Sequence, residues 1–372
     1  MKRQKQSSKT LRLTALLLAL VLMLALTACA APAGPGGSQA PADASPSASA
    51  PLEGAVASPD DAPWKGRENE TIQLNAGFLK GMTGIANQFA VENGWYEEAG
   101  IELTLIDIPN PVAAFGAGEV DIADGDPGTY VPAIVNEVPM KIIGNMWRNK
   151  GAYWIIANTE IESWEDLKGK KVGSAQATGG MKLTLMEVLT QNGIDPENDV
   201  ELIANNFYQP AYATFTSGEV DATIIHQPFA TIAEKDGTGR VLAKTWEYLP
   251  DYHTGVLVAT QKLIDEQPEA VERVLEVYYY VNEFCKNNFD VFIPWAATYL
   301  NMDEATAREA IEAEIVLWEN DPIVDTSRLQ VTEDLLFKYG MQKESYDVSE
   351  GVVDNQFAEK IAQQLKLGQY AE

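Results

Sequence analysis

The sequence predicts an α/β chain folded as two lobes. From residue 64 onward, short apolar runs alternate with helical patterns, which is the signature of strands connected by helices. A six-residue pattern recurs at a shift of 100, with Ala113, Phe115, Gly118, Glu119, Val120 and Asp121 returning as Ala213, Phe215, Gly218, Glu219, Val220 and Asp221. The 372 residues also leave room for about two domains once a leader is removed.

Taken in order, residues 72–77 form a strand and residues 81–93 the helix that follows. Residues 101–108 alternate in polarity and make a second strand, 120–123 a short third, and 140–145 a fourth. A new series opens after 164–171, with strands at 171–174, 200–204 and 222–225 and a helix at 179–192. From residue 268 the chain is mostly helical, with Val271, Val274, Leu275, Tyr278 and Val281 at helical spacing. Cys285 belongs to that helix and reads as a buried small apolar group. The echoed segment is a helix end, a glycine able to take positive φ, and a strand start. One copy per lobe implies a cleft between two similar lobes.

The first sixty residues are of another kind. Lys2, Arg3, Lys5, Lys9 and Arg12 precede an apolar run over residues 13–26. At ~1.5 Å per residue this run covers ~21 Å, short of the ~30 Å hydrocarbon core, so a secretion signal fits better than a membrane span. It leads into Leu26, Thr27, Ala28 and Cys29, the pattern of the bacterial lipobox. Residues 1–28 are then a signal peptide, and Cys29 is the lipidated N-terminus, carrying palmitate-type acyl chains. The alternative is ordinary cleavage with Cys29 incidental. Between residues 30 and 63, 27 of 34 are Ala, Pro, Gly or Ser, so residues 29–66 are expected to form a flexible tether. The protein would hang on the outer face of the cell membrane.

Composition narrows the function. A formal charge of −27 becomes −32 once the five basic residues of the leader are gone, which disfavours nucleic-acid partners. Two Cys and two His argue against a disulfide scaffold, a zinc cluster or any resident metal. No Gly-x-Ser-x-Gly elbow and no Gly-Lys-Ser/Thr phosphate loop is present, so no catalytic residue and no cofactor is expected.

Several segments carry a resemblance to a known family. They are the run from Gly94 through Trp95, Tyr96, Glu97, Glu98, Ala99 and Gly100 to Ile101; Gly118 to Asp121 with Gly125, Asp126 and Pro127; the core Asp166, Leu167, Lys168, Gly169, Lys170, Lys171; and Gly218 to Asp221 with Pro228. Over about residues 71–260 the chain resembles the substrate-binding proteins of bacterial ABC importers for aliphatic sulfonates, taurine, nitrate and thiamine pyrimidine precursors. The resemblance implies a type II periplasmic-binding-protein fold, two Rossmann-like lobes with a central cleft and hinge. Lobe I would hold residues 71–158 and 253–372, and lobe II residues 159–252. It further implies a monomer that captures a small organic solute, such as a thiamine-pyrimidine-like heterocycle or a sulfonate, and delivers it to an ABC permease. A surface-tethered sensor and a pyrimidine-synthase-like enzyme are the alternatives.

Open α/β sheets bind ligands beyond the carboxyl ends of their strands, which points to particular loops. After the first strand these are Gly81, Met82 and Thr83, and in the second lobe Gln176, Thr178 and Gly179. Glycines there allow close backbone approach, and free helix N–H groups suit a polar or negative atom; helix capping by Thr83 and Thr178 is the structural alternative. After the echoed segments come Asp126 in one lobe and His226 with Gln227 in the other. Members of the resembled family commonly carry an aromatic residue and a glutamate where His226 and Gln227 stand, a departure that bears on the ligand class. His226 is either a ligand contact or a histidine satisfied within its lobe. Trp147, Tyr153 and Trp154 near the crossover, and Tyr208 and Tyr252 with His253, are either stacking surfaces or core.

Overall fold

The computed structural model describes residues 55–67, 71–146, 150–177 and 179–371. The expected leader, Cys29 and most of the tether lie outside the described residues, as do Trp147 and Thr178. In chain order the strands are β1 (Ile72–Gly77), β2 (Ile101–Leu105), β3 (Ile122–Gly125), β4 (Met140–Asn145), β5 (Trp154–Ala157), β6 (Lys171–Gly173), β7 (Glu201–Ile203), β8 (Ala222–Ile225), β9 (Arg240–Lys244) and β10 (Val256–Thr260). The helices are α1 (Ile85–Glu92), α2 (Trp95–Glu98), α3 (Pro111–Ala117), α4 (Pro127–Val135), α5 (Gly180–Gln191), α6 (Tyr208–Thr216), α7 (Phe229–Lys235), α8 (Gln261–Glu266), α9 (Pro268–Asn287), α10 (Phe289–Tyr299), α11 (Glu304–Ile315), α12 (Thr326–Lys338) and α13 (Gln356–Leu365).

The strands form two five-stranded sheets built to one plan. The first has the order β2-β1-β3-β10-β4 and the second β7-β6-β8-β5-β9. In each, four strands run in one direction and a single antiparallel strand is inserted between the third of them and the edge strand. That antiparallel strand arrives from the other sheet: the chain crosses between Asn145 and Trp154 and returns between Lys244 and Val256. The expected boundary at residue 158 therefore falls too late. Trp154–Ala157 pairs with Ile225 to Ala222 in the second sheet. Its four apolar residues are buried on both faces, so polarity does not alternate as it does in β2.

The echoed segments occupy equivalent places. Gly118 and Gly218 take φ of 71° and 75°, the left-handed region that glycine enters at little cost. Each Asp that follows ties down the strand next to the edge of its own sheet, β1 or β6: Asn75 N–H donates to Asp121 Oδ2 at 2.8 Å, and Lys171 N–H donates to Asp221 Oδ2 at 3.0 Å.

Both faces of each sheet are covered. One face of the first carries Phe89, Trp95, Tyr278 and Phe292, and the other Phe115, Tyr130, Val131 and Leu329. In the second sheet, Leu185, Val188 and Leu189 lie on one side, with Trp154, Phe215 and Phe229 on the other. Cys285 is buried in α9, where burial pushes its thiol pKa well up. Residues 55–66, expected to belong to the tether, are ordered against the first lobe. Trp64 is fully buried, with its ring 5.0 Å from that of Tyr280 and 6.0 Å from that of Trp95. Trp95 Nε1 donates to the Val56 carbonyl at 2.8 Å, so residues 55–67 pack onto the first lobe. Trp64 and Ala62 are buried in the first core, and Lys65 and Arg67 pair with Glu98 and Glu276 at 2.6 and 2.7 Å, which together offset the cost of ordering a segment of small residues.

Candidate functional site

Between the two sheets lies a cavity of about 340 Å³, at the small end of the range for ligand sites. Its wall is made where the common plan of the sheets puts it. Leu79 and Thr83 follow β1, Gly125, Asp126, Gly128 and Thr129 surround the end of β3, and Met146 follows β4. From the second sheet come Gln176 and Gly179 to Lys182 after β6, Phe207 and Tyr208 after β7, and His226 after β8. Tyr153 and Thr254 belong to the two crossovers, and Leu336 and Met341 reach in from the end of α12 and the turn beyond it.

The loop after β1 is shaped by one close approach. A Cβ on Gly84 would stand 1.9 Å from the Leu79 carbonyl oxygen, so only glycine lets the chain fold back on itself there. This fold-back makes Gly81–Gly84 a 3-10 turn and delays α1 to Ile85, where the sequence had suggested a helix from residue 81. Thr83 is not a side-chain cap of α1; its hydroxyl lies 2.5 Å from that of Tyr208 in the other lobe. Gly81 and Met82 stand behind the wall. The Gly81 N–H donates to Tyr299 Oη at 3.1 Å, and Met82 is packed into the first core.

Asp126 also joins the lobes. It caps α4, with Oδ1 accepting from Gly128 N–H at 2.9 Å, while Oδ2 accepts from Gly180 N–H at 3.1 Å, the first residue of α5 in the second lobe. The N-cap of α5 is Gly179, at φ 112°, which offers no side chain for the purpose, so the facing lobe supplies the cap. A Cβ on Gly180 would come within 3.0 Å of Asp126 Oδ2 and 2.8 Å of Tyr252 Oη, so the approach depends on glycine at this position. Burial raises the Asp126 pKa, and the two N–H donors hold it back. Beneath it Glu333 is pushed up to about 7, first by burial and then by the charges of Asp126 and Asp334, against a lowering hydrogen bond from Gln342.

The second lobe contributes an aromatic group. The His226 ring lies 5.1 Å from that of Tyr208, nearly parallel at 21°, and 5.1 Å from that of Tyr153, edge-on at 78°. Gln227 turns away from the cavity: its Oε1 accepts from Thr231 N–H at 3.2 Å, within α7. Gln176 is exposed at the rim. Of the other sequence candidates, Trp154 is core, edge-on to Trp246 at 4.9 Å. Tyr252 and His253 are buried off the wall. His253 Nε2 sits 2.6 Å from Asn145 Oδ1, and Asn145 Nδ2 donates to the carbonyls of Asp321 and Ile323, so His253 supplies the proton at Nε2. Burial lowers its pKa to about 3.

Further contacts close the lobes onto each other. Glu187 of α5 accepts from Lys338 Nζ at 2.7 Å and from Tyr339 Oη at 2.5 Å, and Lys235 of α7 donates to Thr306 Oγ1 of α11 at 2.8 Å. Sequence reasoning missed Leu336, Met341 and these bonds. The first-lobe partners come from the C-terminal helices, far along the chain from the strand-end loops, and apolar residues at helical spacing look the same whether they face a core or a cavity.

Residues 85–288 match the family described as NMT1/THI5-like, more than half of the chain. The chain belongs to that family. Within it and around it the chain is similar to a candidate binding protein of Brucella abortus, 27% identical over 245 residues that cover 63% of this chain and 74% of the other. Among solved structures it is similar to the alkanesulfonate-binding protein SsuA of Xanthomonas axonopodis pv. citri bound to MOPS. That match has a TM-score of 0.62 and 18% identity, covering 76% of this chain and 98% of that one. The desulfurization enzyme DSZB is similar too, with a TM-score of 0.60 at 15% identity, covering 79% of this chain and 99% of that one. The fold is thus the periplasmic-binding-protein fold expected from the sequence, two mixed α/β lobes around a cleft. Leu336 and Met341 lie outside the matched segment.

Proposed function

We propose that this member of the NMT1/THI5-like family is the extracytoplasmic solute-binding component of an ABC importer. It captures a small organic solute between its lobes and presents the closed form to a permease, without covalent chemistry. The observation that carries the reading is the cavity itself. Two sheets of one plan place the carboxyl ends of their strands around it, and Asp126 and the Thr83–Tyr208 pair join the lobes across it. Such a cleft closes when the closed form gains contacts with solute that the open form lacks. Thr83, Asp126, Gln176, Gly179 and His226 are its contact residues on this reading, with Thr178 and Trp147 in adjoining stretches of chain. Lobe I comprises the first sheet with the C-terminal helices, and lobe II the second sheet. Lipidation at Cys29 would hold the protein at the outer face of the membrane, where the permease is; among the described residues no helix is long and apolar enough to cross one.

The likeness to a desulfurization enzyme keeps catalysis as a second reading. Against it, Cys285, the one cysteine among the described residues, is buried off the cavity wall. The test is a thermal-shift screen with pyrimidines, flavins, sulfonates, taurine and nitrate, followed by uptake of each stabilising solute in cells with and without the gene. A solute at 100 times its Kd adds about 2.7 kcal/mol to stability. Stabilisation by one class, with gene-dependent uptake, supports the transport reading. Turnover of a stabilising compound by the purified protein would replace it with the enzymatic one, and no response to any solute would refute both.

A further inference from the structure

Building on the solute-binding reading, we infer that the cavity selects an organic cation, a small planar or aromatic body bearing a protonated nitrogen with N–H donors, and that Asp126 reads its charge. The first observation is what fills the places an anion would take. Free backbone N–H groups at helix starts are ready anion sites. Here the chain occupies two of them with a carboxylate of its own, Gly128 N–H donating to Asp126 Oδ1 at 2.9 Å and Gly180 N–H to Asp126 Oδ2 at 3.1 Å, and in the loop after β1 the Leu79 N–H is likewise taken by Asp124 Oδ1 at 2.7 Å. A sulfonate entering this cavity would meet a half-buried carboxylate where it needs donors.

The second observation is the charge of the wall. Among the described residues it carries two charged side chains, Asp126 and Lys182. Lys182 lies at the partly exposed edge, its ammonium donating to the Ala177 carbonyl at 3.0 Å. Asp126 is within, and each of its oxygens accepts one of the two N–H bonds just given. An ionised carboxylate has about four lone-pair directions, so it can still accept from a ligand N–H. Burial with no cationic partner among the described residues is what makes its charge costly, and an arriving cation offsets that cost.

The third observation is the aromatic side. Tyr153, Phe207, Tyr208 and His226 face the same space, with Met146 and Met181 beside them. Ring faces attract cations, and thioethers adapt to planar ligands. The formal charge of −27 steers in the same direction at long range.

The test uses shape-matched triads on the full-length chain, by calorimetry and thermal shift. The first triad is benzamidine, benzamide and benzenesulfonate; the second is 2-phenylethylamine, 2-phenylethanol and phenylmethanesulfonate. The cation of at least one triad should bind about tenfold or more tighter than its neutral partner, and the sulfonates should not bind; charge-assisted hydrogen bonds are worth that much. D126N should bring cation and neutral analogue to within about threefold of each other. Equal or tighter binding by a sulfonate or a neutral analogue overturns the cation assignment while leaving solute binding intact. Cation binding unchanged in D126N removes Asp126 from the role, and the wild-type triads decide the charge class even where D126N does not fold. Silence from all six compounds also overturns the inference; solute binding itself then stands or falls with the broader solute screen.

Discussion

Glu333 makes the stability of this protein fall as pH rises through neutrality, and Glu333→Gln should abolish that slope. The side chain is fully buried in α12; its Oε2 accepts from Gln342 Nε2 at 3.0 Å, while Oε1 has no hydrogen-bond partner among the described residues. Burial, with Asp126 and Asp334 nearby, raises its pKa from 4.5 to about 7. A carboxyl whose pKa is raised on folding binds its proton more tightly in the native state. Its contribution is therefore fully present below about pH 4.5, where both states are protonated, and is lost as pH rises through about 7. A raised pKa of this size corresponds to about 3 kcal/mol in total, of which about 2 to 3 kcal/mol disappears between pH 5 and pH 8. The amide of Gln is nearly isosteric and does not titrate, so the variant should be more stable than the wild type at pH 8 and close to it at pH 5. Urea unfolding followed by tryptophan fluorescence at half-unit pH steps measures the difference directly. Asp126 contributes a slope of the same sign, but it is present in both proteins and largely subtracts out. Parallel stability curves for wild type and Glu333→Gln across that range would refute the reasoning.

On the acid side, His253 acts with the opposite sign. Its folded pKa of about 3 means stability is lost as pH falls from about 6.5 toward 3, and His253→Gln should flatten that limb in the same unfolding series. Thr83→Val or Tyr208→Phe removes the 2.5 Å hydroxyl pair across the cleft. At about 1 kcal/mol net, this should open the lobes about fivefold more often, read as a larger radius of gyration in solution scattering and a similar loss of solute affinity. Gly84→Ala forces a Cβ to within 1.9 Å of the Leu79 carbonyl oxygen and should cost about 3 kcal/mol or more in thermal unfolding. Gly116→Ala is its control, because nothing lies within 4 Å of the new Cβ on α3; there a gain of about 0.5 to 1 kcal/mol is expected.

What could be seen in the sequence followed from how much of each signal is local. β1, β4 and β8 begin and end where the sequence places them, because each is a short apolar run bounded by turn residues. β5 and β10 carry the same kind of local signal but owe their place to the crossovers between the sheets, which no local pattern records. The second strand was expected to reach residue 108 and stops at Leu105. Ile108 folds over Gly77 instead, in space that a Cβ there would fill at 2.4 Å. In the site, the loops were legible because strand ends are where α/β folds bind. Orientation within the loops was not: His226 and Gln227 are neighbours, yet the first faces the cavity and the second bonds back into α7.

The echo between the two halves explains why the cleft is chemically lopsided. Asp121 and Asp221 perform one structural task, pinning the strand next to the edge of each sheet, so the residues a few positions later emerge at equivalent points on opposite walls. After Asp121 the first lobe places a carboxylate, Asp126, at that point; after Asp221 the second places an imidazole, His226, held between two tyrosine rings. The scaffold repeats because sheet register depends on it, whereas the emergent residue is free of that constraint and differs in charge and polarisability. Closure then brings a half-buried acid in one wall against an aromatic stack in the other. That pairing suits a flat, nitrogen-bearing cation on both sides at once, and it gives neither wall alone the means to hold one.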